Sequence, residues 1–315
     1  MVDIREMVDD LGGFAQKQQL VARGAQDFDL TRAVKAGEVS RARQGWYTTV
    51  EESDPRVRAV RVGGRLTGIS AIAQWGGWVL GKHALHVSVP RNAARLRSPW
   101  NRRRPLGTRH GLRLHWDPPT VEATGTHWHV SVSDALRRVI LDEKLEAAVA
   151  AVDWALHTGR LDRFDFERLI LTLPVTKRWI RSWVDERTES LPESLARTRL
   201  RLHGHRVAIQ VPVGHKRIDL VVDDRVGLEI NGREFHAHTF EADHLKALEI
   251  TIAGFHAMSV SAAMVFGQWE LFLRALESAL FSHAICPHEN SGNSASTART
   301  SPVLSRPKRR SYGFS

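Results

Sequence analysis

The sequence is poor in cysteine and in long uncharged segments. Its one cysteine, Cys286, cannot form an internal disulfide and leaves no cysteine-based zinc finger, which favours a reducing compartment. The opening residues, MVDIREMVDDLGG, lack the apolar core of a signal peptide, so we expect no export and a cytoplasmic location. The stretch from Ile250 to Trp269 carries no formal charge, but Gly254 divides it, and we expect no membrane span.

Acidic residues are outnumbered by basic ones. Against 35 Asp and Glu stand 45 Lys and Arg, which gives a formal net charge of +10 and a pI of about 10.4. This balance favours polyanionic partners, with nucleic acid first among them. The length of 315 residues predicts two or three domains, and an apolar fraction of 42% is sufficient for packed cores.

The first segment, residues 1–65, has the pattern of short helices followed by a basic strand pair. Asp29 is predicted to cap a helix that carries Leu30 and Ala33 at helical spacing and ends before Gly37. Helix, turn, basic helix and wing is the arrangement of a winged helix-turn-helix, whose second helix enters the major groove of DNA. A plain helical subdomain with a solvated basic face is the alternative. The candidate DNA-binding side chains are Arg32, Lys35, Arg41 and Arg43.

The same segment resembles a known regulator domain. The string FAQKQQLVARGAQDFDLTRAVKAGEVSRARQGWY is similar to the N-terminal winged-helix domain of AbiE-type antitoxin and abortive-infection regulators. In those proteins a glycine-flanked helix is followed by a basic strand that ends in an aromatic pair. The resemblance implies that this part of the chain binds DNA.

The middle region, residues 66–187, is predicted to be a mixed α/β linker. A strand is expected over residues 83–90, and helices over 130–157 and 165–171. An arginine-rich stretch that contains Trp100 would either follow a phosphate backbone or form a solvated loop, the interpretation we favour. Its arginines are Arg91, Arg95, Arg97, Arg102, Arg103, Arg104 and Arg109.

The segment that begins at Arg206 has the pattern of a three-stranded antiparallel meander. Apolar residues alternate in RVAIQVPV, a second run follows in RIDLVV, and Asp223 with Asp224 supplies a turn before VGLEIN. Asp219 and Glu229 are equidistant from that turn and would face each other, with Cβ atoms roughly 5 Å apart. One face of these strands is predicted to be buried and the other to carry the acids. The predicted buried residues are Ile218, Leu220, Leu228 and Ile230.

Two facing carboxylates repel each other unless a cation lies between them or one of them is protonated. A hard divalent ion such as Mg²⁺ or Mn²⁺ is held by one or two carboxylates together with water and substrate phosphate. It would lower the pKa of a bound water and polarise a phosphate oxygen, so that hydrolysis becomes feasible. Asn231, on the same face as Glu229, would orient that water. The alternative is that Asp219 and Glu229 are solvent-facing acids of a structural hairpin.

Four strings resemble the very-short-patch-repair-like endonucleases of the PD-(D/E)XK superfamily: LPESLARTRLRLHG, PVGHKRIDLVV, VGLEINGREFH and FEADHLKALEITIAGFHAMSV. The resemblance covers residues 188–283 and implies a three-layer αβα domain that cleaves DNA with Mg²⁺ or Mn²⁺. Carried over position by position, Glu193 matches the acid of the first helix, Asp219 the metal-binding aspartate, and Glu229 the acid of the third motif.

One position departs from the pattern of that family. The third motif usually ends in lysine, or in aspartate within this branch, whereas here the residue is Asn231. Loss of the charge would weaken metal binding or slow catalysis, and either Lys216 or Lys246 would have to supply a cation. His236 and Asp243 also match recurrent positions, and we include His236 among the candidate catalytic residues. An inactive DNA-binding remnant stays open as an alternative.

The C-terminal part is predicted to complete this domain. A helix over residues 240–253 ends at Gly254, a buried strand covers 255–260, and Ser261 caps a last long helix. Residues 284–315 contain too few apolar residues to pack and are predicted to be a disordered basic tail. The apolar stripe of the last helix, predicted to be core, is Trp269, Leu273, Leu276 and Leu280.

Histidines recur in pairs at i, i+2 spacing, which would share one face of a strand and could ligate zinc. No pair has further ligands at a convincing spacing, and we interpret the first two as surface or partly buried histidines. The pairs are His127 with His129, His203 with His205, and His236 with His238.

These patterns predict an α/β fold class with an N-terminal winged helix-turn-helix, a mixed middle region and a C-terminal three-layer PD-(D/E)XK domain. The predicted function is a DNA-binding protein that hydrolyses phosphodiester bonds with Mg²⁺ or Mn²⁺. The main alternative is a non-catalytic, antitoxin-like transcriptional regulator with a degenerate nuclease fold. An RNA-directed nuclease or toxin is a third hypothesis.

Overall fold

A computed structural model of the chain describes residues 2–107, 110–117, 124–232 and 240–285. Within these residues the fold is mixed α/β, as predicted, with helices packed around three sheets. None of the described helices is long and apolar enough to cross a membrane. The predictions made for His236, for Arg109 and for the basic tail fall outside the described residues.

The N-terminal elements form a small helical unit with a three-stranded antiparallel sheet of order β1-β3-β2. Its core is formed by apolar side chains of all three helices, among them Ile4, Leu20 and Leu30. The predicted cap at Asp29 is wrong. The helix begins at Asp27, because the Asp29 side chain accepts a hydrogen bond from the Gln26 amide at 3.1 Å and closes the first turn. The elements are α1 (Ile4–Asp10), β1 (Phe14–Gln16), α2 (Lys17–Ala22), α3 (Asp27–Lys35), β2 (Ser40–Arg43) and β3 (Trp46–Thr48).

The middle region forms its own core between a three-stranded sheet and a layer of helices. In that sheet β4 pairs antiparallel with β5, and β5 pairs parallel with β6. The single helix predicted over residues 130–157 is wrong, because Glu143 and Lys144 both have extended backbone and divide it in two. The elements are α4 (Pro55–Val62), β4 (Arg65–Leu66), α5 (Gly68–Gln74), β5 (Leu85–Pro90), β6 (Leu112–Asp117), α6 (Val132–Asp142), α7 (Leu145–His157), α8 (Arg163–Thr172) and a 3₁₀ helix (Val175–Ser182).

The C-terminal elements form a four-stranded mixed sheet of order β10-β9-β8-β7. The predicted meander is confirmed, and β10 adds parallel to β9. Ser261 caps a helix as predicted, accepting a hydrogen bond from Met264 N at 3.2 Å. That helix is not continuous, because Gln268 leaves helical geometry and a new helix begins at Trp269. The elements are α9 (Leu191–Leu202), β7 (Val207–Val213), β8 (Lys216–Val222), β9 (Val226–Asn231), α10 (Phe240–Ile252), β10 (His256–Ser261), α11 (Ala262–Gly267) and α12 (Trp269–Ile285).

Both faces of this sheet are covered by apolar side chains. Leu220 and Leu228 pack in one cluster with residues of α9 and α12, whereas Val221 packs with Ile250 of α10 in another. Ile218 belongs to the second cluster, so its predicted place beside Leu220 is wrong. The β7–β8 ladder lacks a pair at Gln210, whose φ is +51°, and strict alternation fails at this irregularity. The buried stripe predicted for the last helix is confirmed for Leu273, Leu276 and Leu280.

The three parts of the chain are joined by specific contacts. The Phe14 ring stacks on Trp128 with centroids 5.2 Å apart, which connects the N-terminal sheet to the middle region. Asp153 of α7 is fully buried and contacts α9. It accepts a hydrogen bond from Ser194 Oγ at 2.5 Å and pairs with Arg197 Nη2 at 2.5 Å. The middle region is thus packed directly against the C-terminal unit.

Candidate functional site

The β8–β9 hairpin brings the two predicted acids together. Its ladder pairs Leu220 with Leu228, and the same register continued by one residue sets Asp219 opposite Glu229. The turn contains Asp223 and Asp224, both in the left-handed region with φ of 51° and 58°. Aspartate tolerates this conformation better than most residues, which explains why the turn forms here. The register is the one that the equal spacing from the turn predicts.

Lys246 of α10 contacts both acids. Its Nζ forms an ion pair with Glu229 Oε2 and lies 3.8 Å from Asp219 Oδ1. Lys246 and Ile250 are four residues apart, so they share one face of α10, and Ile250 packs onto the sheet beside Val221. The sequence left Lys216 and Lys246 as equal candidates for the missing cation. The structure brings Lys246 to the acids.

The Asp219 carboxylate is held by the backbone of the neighbouring strand. Its Oδ2 accepts a hydrogen bond from Ile230 N at 2.7 Å. Burial raises the pKa of Asp219 above its ordinary value, and the Ile230 amide and the Lys246 charge oppose that rise. The hydrogen bond fixes the carboxylate and leaves Oδ1 directed toward Lys246.

Glu229 carries the largest pKa perturbation among these acids. Burial first, and then repulsion from Asp219, raise the pKa of Glu229 to about 7 despite the attraction of Lys246. Its Oε1 atom is buried and has no hydrogen-bond partner among the described residues. A buried oxygen without a partner is costly, and it is the kind of atom that a bound cation would satisfy.

Glu193 lies at the start of α9, on the helix that covers the other face of the sheet. Ser190 Oγ donates to Glu193 Oε1 at 2.7 Å, and the Glu189 amide donates to Oε2 at 3.0 Å. Burial, with a contribution from the Asp219 charge, raises the pKa of Glu193 above its ordinary value. The carboxylate therefore closes the first turn of its helix while remaining within electrostatic range of Asp219.

Asn231 does not reach the acid pair through any hydrogen bond in the part of the chain that the structure describes. Its Nδ2 donates to Ser259 Oγ of β10 at 2.8 Å. The amide is thus directed toward the neighbouring parallel strand. The side chain of Asp243, like all of His236, lies outside the described residues.

The candidate DNA-binding residues divide into two groups. Arg32 donates to the Val2 carbonyl at 3.1 Å, and Arg43 donates to the Val62 carbonyl at 2.7 Å, so both guanidinium groups hold the fold together. Lys35 is exposed on α3, and Arg41 is half-buried, with its guanidinium over the Tyr47 ring at 5.5 Å.

The arginine-rich stretch lies next to the wing formed by β2 and β3. Arg43 Nη2 donates to the Arg95 carbonyl at 3.4 Å, and the Arg58 guanidinium lies over the Trp100 ring at 4.4 Å. Several of its arginines are exposed, and their charges therefore extend the basic surface of the N-terminal unit. The exposed arginines are Arg91, Arg95, Arg103 and Arg104.

The two described histidine pairs are surface or partly buried, as predicted. His129 packs edge-on against Trp75 with centroids 4.9 Å apart. His203 lies beside Trp269, and His205 contacts Asp223 at 2.8 Å.

The chain matches no protein-family model and none of the curated proteins with which it was compared. The candidate site is therefore defined by its own geometry. That geometry unites Asp219, Glu229 and Lys246, with Glu193 on the adjoining helix.

Proposed function

We propose that this protein binds DNA and that its C-terminal unit is a metal-dependent endonuclease that hydrolyses phosphodiester bonds. The observation that carries the proposal is the convergence of Asp219, Glu229 and Lys246 on one face of a mixed sheet. The order helix, three antiparallel strands, helix and parallel strand supports the resemblance to the PD-(D/E)XK nucleases.

The donor atoms of this site suit a hard divalent cation, Mg²⁺ or Mn²⁺. Such ions take carboxylate oxygens together with water and substrate phosphate. Asp219 and Glu229 supply two carboxylates, and the partnerless Glu229 Oε1 offers a ready ligand. When bound, the ion would lower the pKa of a coordinated water and polarise a phosphate oxygen.

Lys246 has the chemical role that the lysine of the third motif has in the PD-(D/E)XK nucleases, although it lies on a helix. In the metal-free chain its ammonium pairs with Glu229 and lies 3.8 Å from Asp219, so it offsets part of their negative charge. With an ion held by those acids, Lys246 would lie beside the substrate phosphate and would stabilise the negative charge that develops there. The Ile230 amide holds Asp219 in place throughout. This arrangement compensates for Asn231.

DNA binding is supported by the N-terminal unit and its neighbour. The order helix, strand, two helices and two strands is compatible with a winged helix-turn-helix and supports that part of the proposal. Lys35 on α3, Arg41 on the wing and the exposed arginines beside it would contact phosphates. Binding should therefore weaken steeply with salt, because each neutralised phosphate releases counterions. Arg32 and Arg43 support this surface from inside the fold.

The test is cleavage of plasmid DNA by the purified full-length chain with Mg²⁺ or Mn²⁺. We expect cleavage that EDTA abolishes and that Asp219→Asn lowers by about 10²-fold or more. Asp224→Asn is the matched control, because Asp224 lies in the same hairpin but pairs with Arg206 at the exposed surface. Absence of cleavage, or equal rates for Asp219→Asn and the wild type, would contradict the proposal.

A non-catalytic DNA-binding regulator is the second candidate. Lys246 already offsets part of the charge of the acid pair without a metal, and the Asn231 amide donates to Ser259, two observations that favour this candidate. This candidate predicts salt-dependent binding of one DNA sequence that is equal in EDTA and in Mg²⁺. Gel-shift assays under the two conditions, together with the cleavage assay, separate the candidates.

A further inference from the structure

A second group of metal-binding side chain types lies in the middle region, outside the site described above. It consists of His86 on β5, His115 on β6 and Asp142 at the end of α6. One ligand atom from each residue lies within 4.8 Å of the other two. The histidines are only 3% and 6% exposed, and their ring centroids are 5.1 Å apart. We call these three residues the histidine cluster.

The topology of the middle sheet explains how the cluster forms. The parallel β5–β6 ladder pairs His86 with Arg113 and Ser88 with His115. The two histidines are therefore offset by two positions on adjacent strands and point to the same face of the sheet. Helix α6 ends against that face, and its last residue is Asp142. Glu143, the next residue, approaches the same place.

Two contacts in the cluster are close to the spacing of ligands around an ion. His115 Nδ1 lies 3.6 Å from Asp142 Oδ2, and His86 Nε2 lies 3.8 Å from Glu143 Oε1. Hydrogen bonds between such atoms are roughly 2.7 to 3.2 Å long, so neither contact is one. Two ligands bound to tetrahedral zinc at about 2.0 to 2.1 Å lie about 3.4 Å apart. Small side-chain shifts would close the cluster around one ion.

Three polar atoms of the cluster are buried without a hydrogen-bond partner among the described residues: Asp142 Oδ2, which lies 3.6 Å from His115 Nδ1, and the other ring nitrogen of each histidine, His86 Nδ1 and His115 Nε2. Buried polar atoms normally have partners, so one orphan on each of the three residues needs an explanation. Arg113 pairs with Asp142 Oδ1 at 3.4 Å and leaves Oδ2 toward the rings.

We propose that His86, His115 and Asp142 bind a first-row transition-metal ion of the zinc class, with Glu143 as the fourth ligand. Two imidazoles and a carboxylate are a ligand set that suits Zn²⁺, whereas Mg²⁺ prefers oxygen ligands alone. A site with four protein ligands is closed, which indicates a structural ion that fixes α6 to β5 and β6. This site is independent of the acid pair and of the proposed cleavage activity.

The test uses the full-length chain carrying Asp219→Asn and Glu229→Gln, which removes the other candidate metal site. After chelator treatment, calorimetric titration with Zn²⁺ should give about one ion per chain. His115→Gln and Asp142→Asn should each weaken binding by at least about 10²-fold. His215→Gln, on the exposed turn between β7 and β8, is the matched control and should leave the affinity unchanged.

Two further measurements make the outcome decisive. Circular dichroism establishes which variants are folded. If His115→Gln does not fold, the test of the proposal is the Asp142→Asn variant, which preserves side-chain size. Zn²⁺ should raise the melting temperature of the parent chain and not that of Asp142→Asn, and bound Co²⁺ should give the visible absorption of a tetrahedral site. The proposal is overturned if the folded parent binds no Zn²⁺, or if folded Asp142→Asn binds it equally well.

Discussion

The acid pair of the C-terminal sheet and the histidine cluster of the middle sheet bring their ligands together by different routes. Asp219 and Glu229 face each other across one antiparallel hairpin, so local strand register sets their distance. His86 and His115 lie on parallel strands, and Asp142 comes from a later helix. A hairpin pair is visible in the sequence as equal spacing from a turn. Two residues on parallel strands come together only through a longer crossover connection, and the sequence does not show the register in which those strands pair.

The two sites also differ in chemistry. Asp219, Glu229 and Lys246 keep about a fifth of their side-chain surface exposed, at 19%, 15% and 23%. In the histidine cluster the two imidazoles are nearly inaccessible, at 4% and 5%, while the side chains of Asp142 and Glu143 are 13% and 24% exposed. Two carboxylates leave coordination positions for water and substrate, whereas two imidazoles and two carboxylates would fill all four positions around an ion. The comparison predicts a catalytic ion in the first and a structural ion in the second.

The largest expected effect on stability comes from breaking the buried ion pair between the regions that hold the two sites. Asp153→Ala leaves Arg197 buried without its partner, and breaking such a pair from one side costs about 3 to 5 kcal/mol. Urea unfolding monitored by circular dichroism measures it. Glu146→Gln, in the half-exposed pair with Arg199, is the control and should cost about 1 kcal/mol or less. An effect of Asp153→Ala as small as that of the control would show that this buried pair does not hold the regions together.

Removing the cation from the acid pair is expected to have the next largest effect. Lys246→Met should slow DNA cleavage by about 10²- to 10³-fold, because it deletes the positive charge next to the reacting phosphate. Lys216→Met removes the other lysine that the sequence suggested and should slow cleavage by less than about threefold. Single-turnover rates at saturating Mg²⁺ make the comparison. Similar losses for both lysines would refute the assignment of Lys246.

The pH dependence of stability should distinguish the acid pair from the histidine cluster. Burial and Asp219 raise the pKa of Glu229 from 4.5 to about 7, so the folded chain holds a proton there that the unfolded chain has lost. Stability from this group is therefore present below about pH 4.5 and is lost as pH rises to about 7, on the order of 2 to 3 kcal/mol. The buried histidines act in the opposite sense, since their pKa values are lowered.

Unfolding free energies of the metal-free chain at about pH 5 and pH 8 measure this dependence. Subtracting the unfolding free energies of Glu229→Gln at the same two pH values removes the histidine contribution and isolates that of the Glu229 carboxyl. Mg²⁺ should reverse the loss at the higher pH, since it favours the ionised carboxylate. If the wild type and Glu229→Gln show the same pH slope, Glu229 titrates near its ordinary pKa.

The parts of the fold that the sequence predicted are those fixed by local signals. The turn at Asp223 and Asp224, the Ser261 cap and the helix stop at Gly254 depend on residues within a few positions of each other. A comparable signal was overlooked at α4. There Asp54 caps the helix, Pro55 occupies its first turn, and Gly63 ends it with a φ of +109°.

The parts that could not be predicted depend on how separate elements pack. Lys246 reaches the acids only because α10 lies on the sheet with Ile250 against Val221, and helical spacing alone does not fix that rotation. The break at Glu143 and Lys144 was hidden, because apolar residues continue on both sides of it, along one face of α6 and on all sides of α7. The histidine cluster depends on three such placements, those of β5, β6 and the end of α6.

Crowding the histidine cluster should have a smaller effect, which tests its packing. Gly68 has a φ of +52°, and a Cβ there would lie 3.0 Å from His86 Nδ1. Gly68→Ala should cost about 1 to 2 kcal/mol and weaken Zn²⁺ binding. Gly214→Ala is the matched control, because its φ of +56° imposes similar strain while the nearest atom is 3.9 Å away. Equal Zn²⁺ affinities in the two variants would show that crowding at His86 Nδ1 does not disturb the ion site.

The smallest expected effect is at Asn231, the position where the sequence departs from the pattern of the nucleases that it resembles. Asn231→Ala removes one hydrogen bond to Ser259 and should cost about 1 kcal/mol of stability. Cleavage should fall by less than about tenfold, because Lys246 supplies the charge and Asn231 is directed toward β10. Ser259→Ala should reproduce the stability loss, since it deletes the same bond from the other side. A loss of activity in Asn231→Ala as large as in Lys246→Met would instead place the amide at the reacting phosphate, and the two candidate metal sites would then differ less than their geometry indicates.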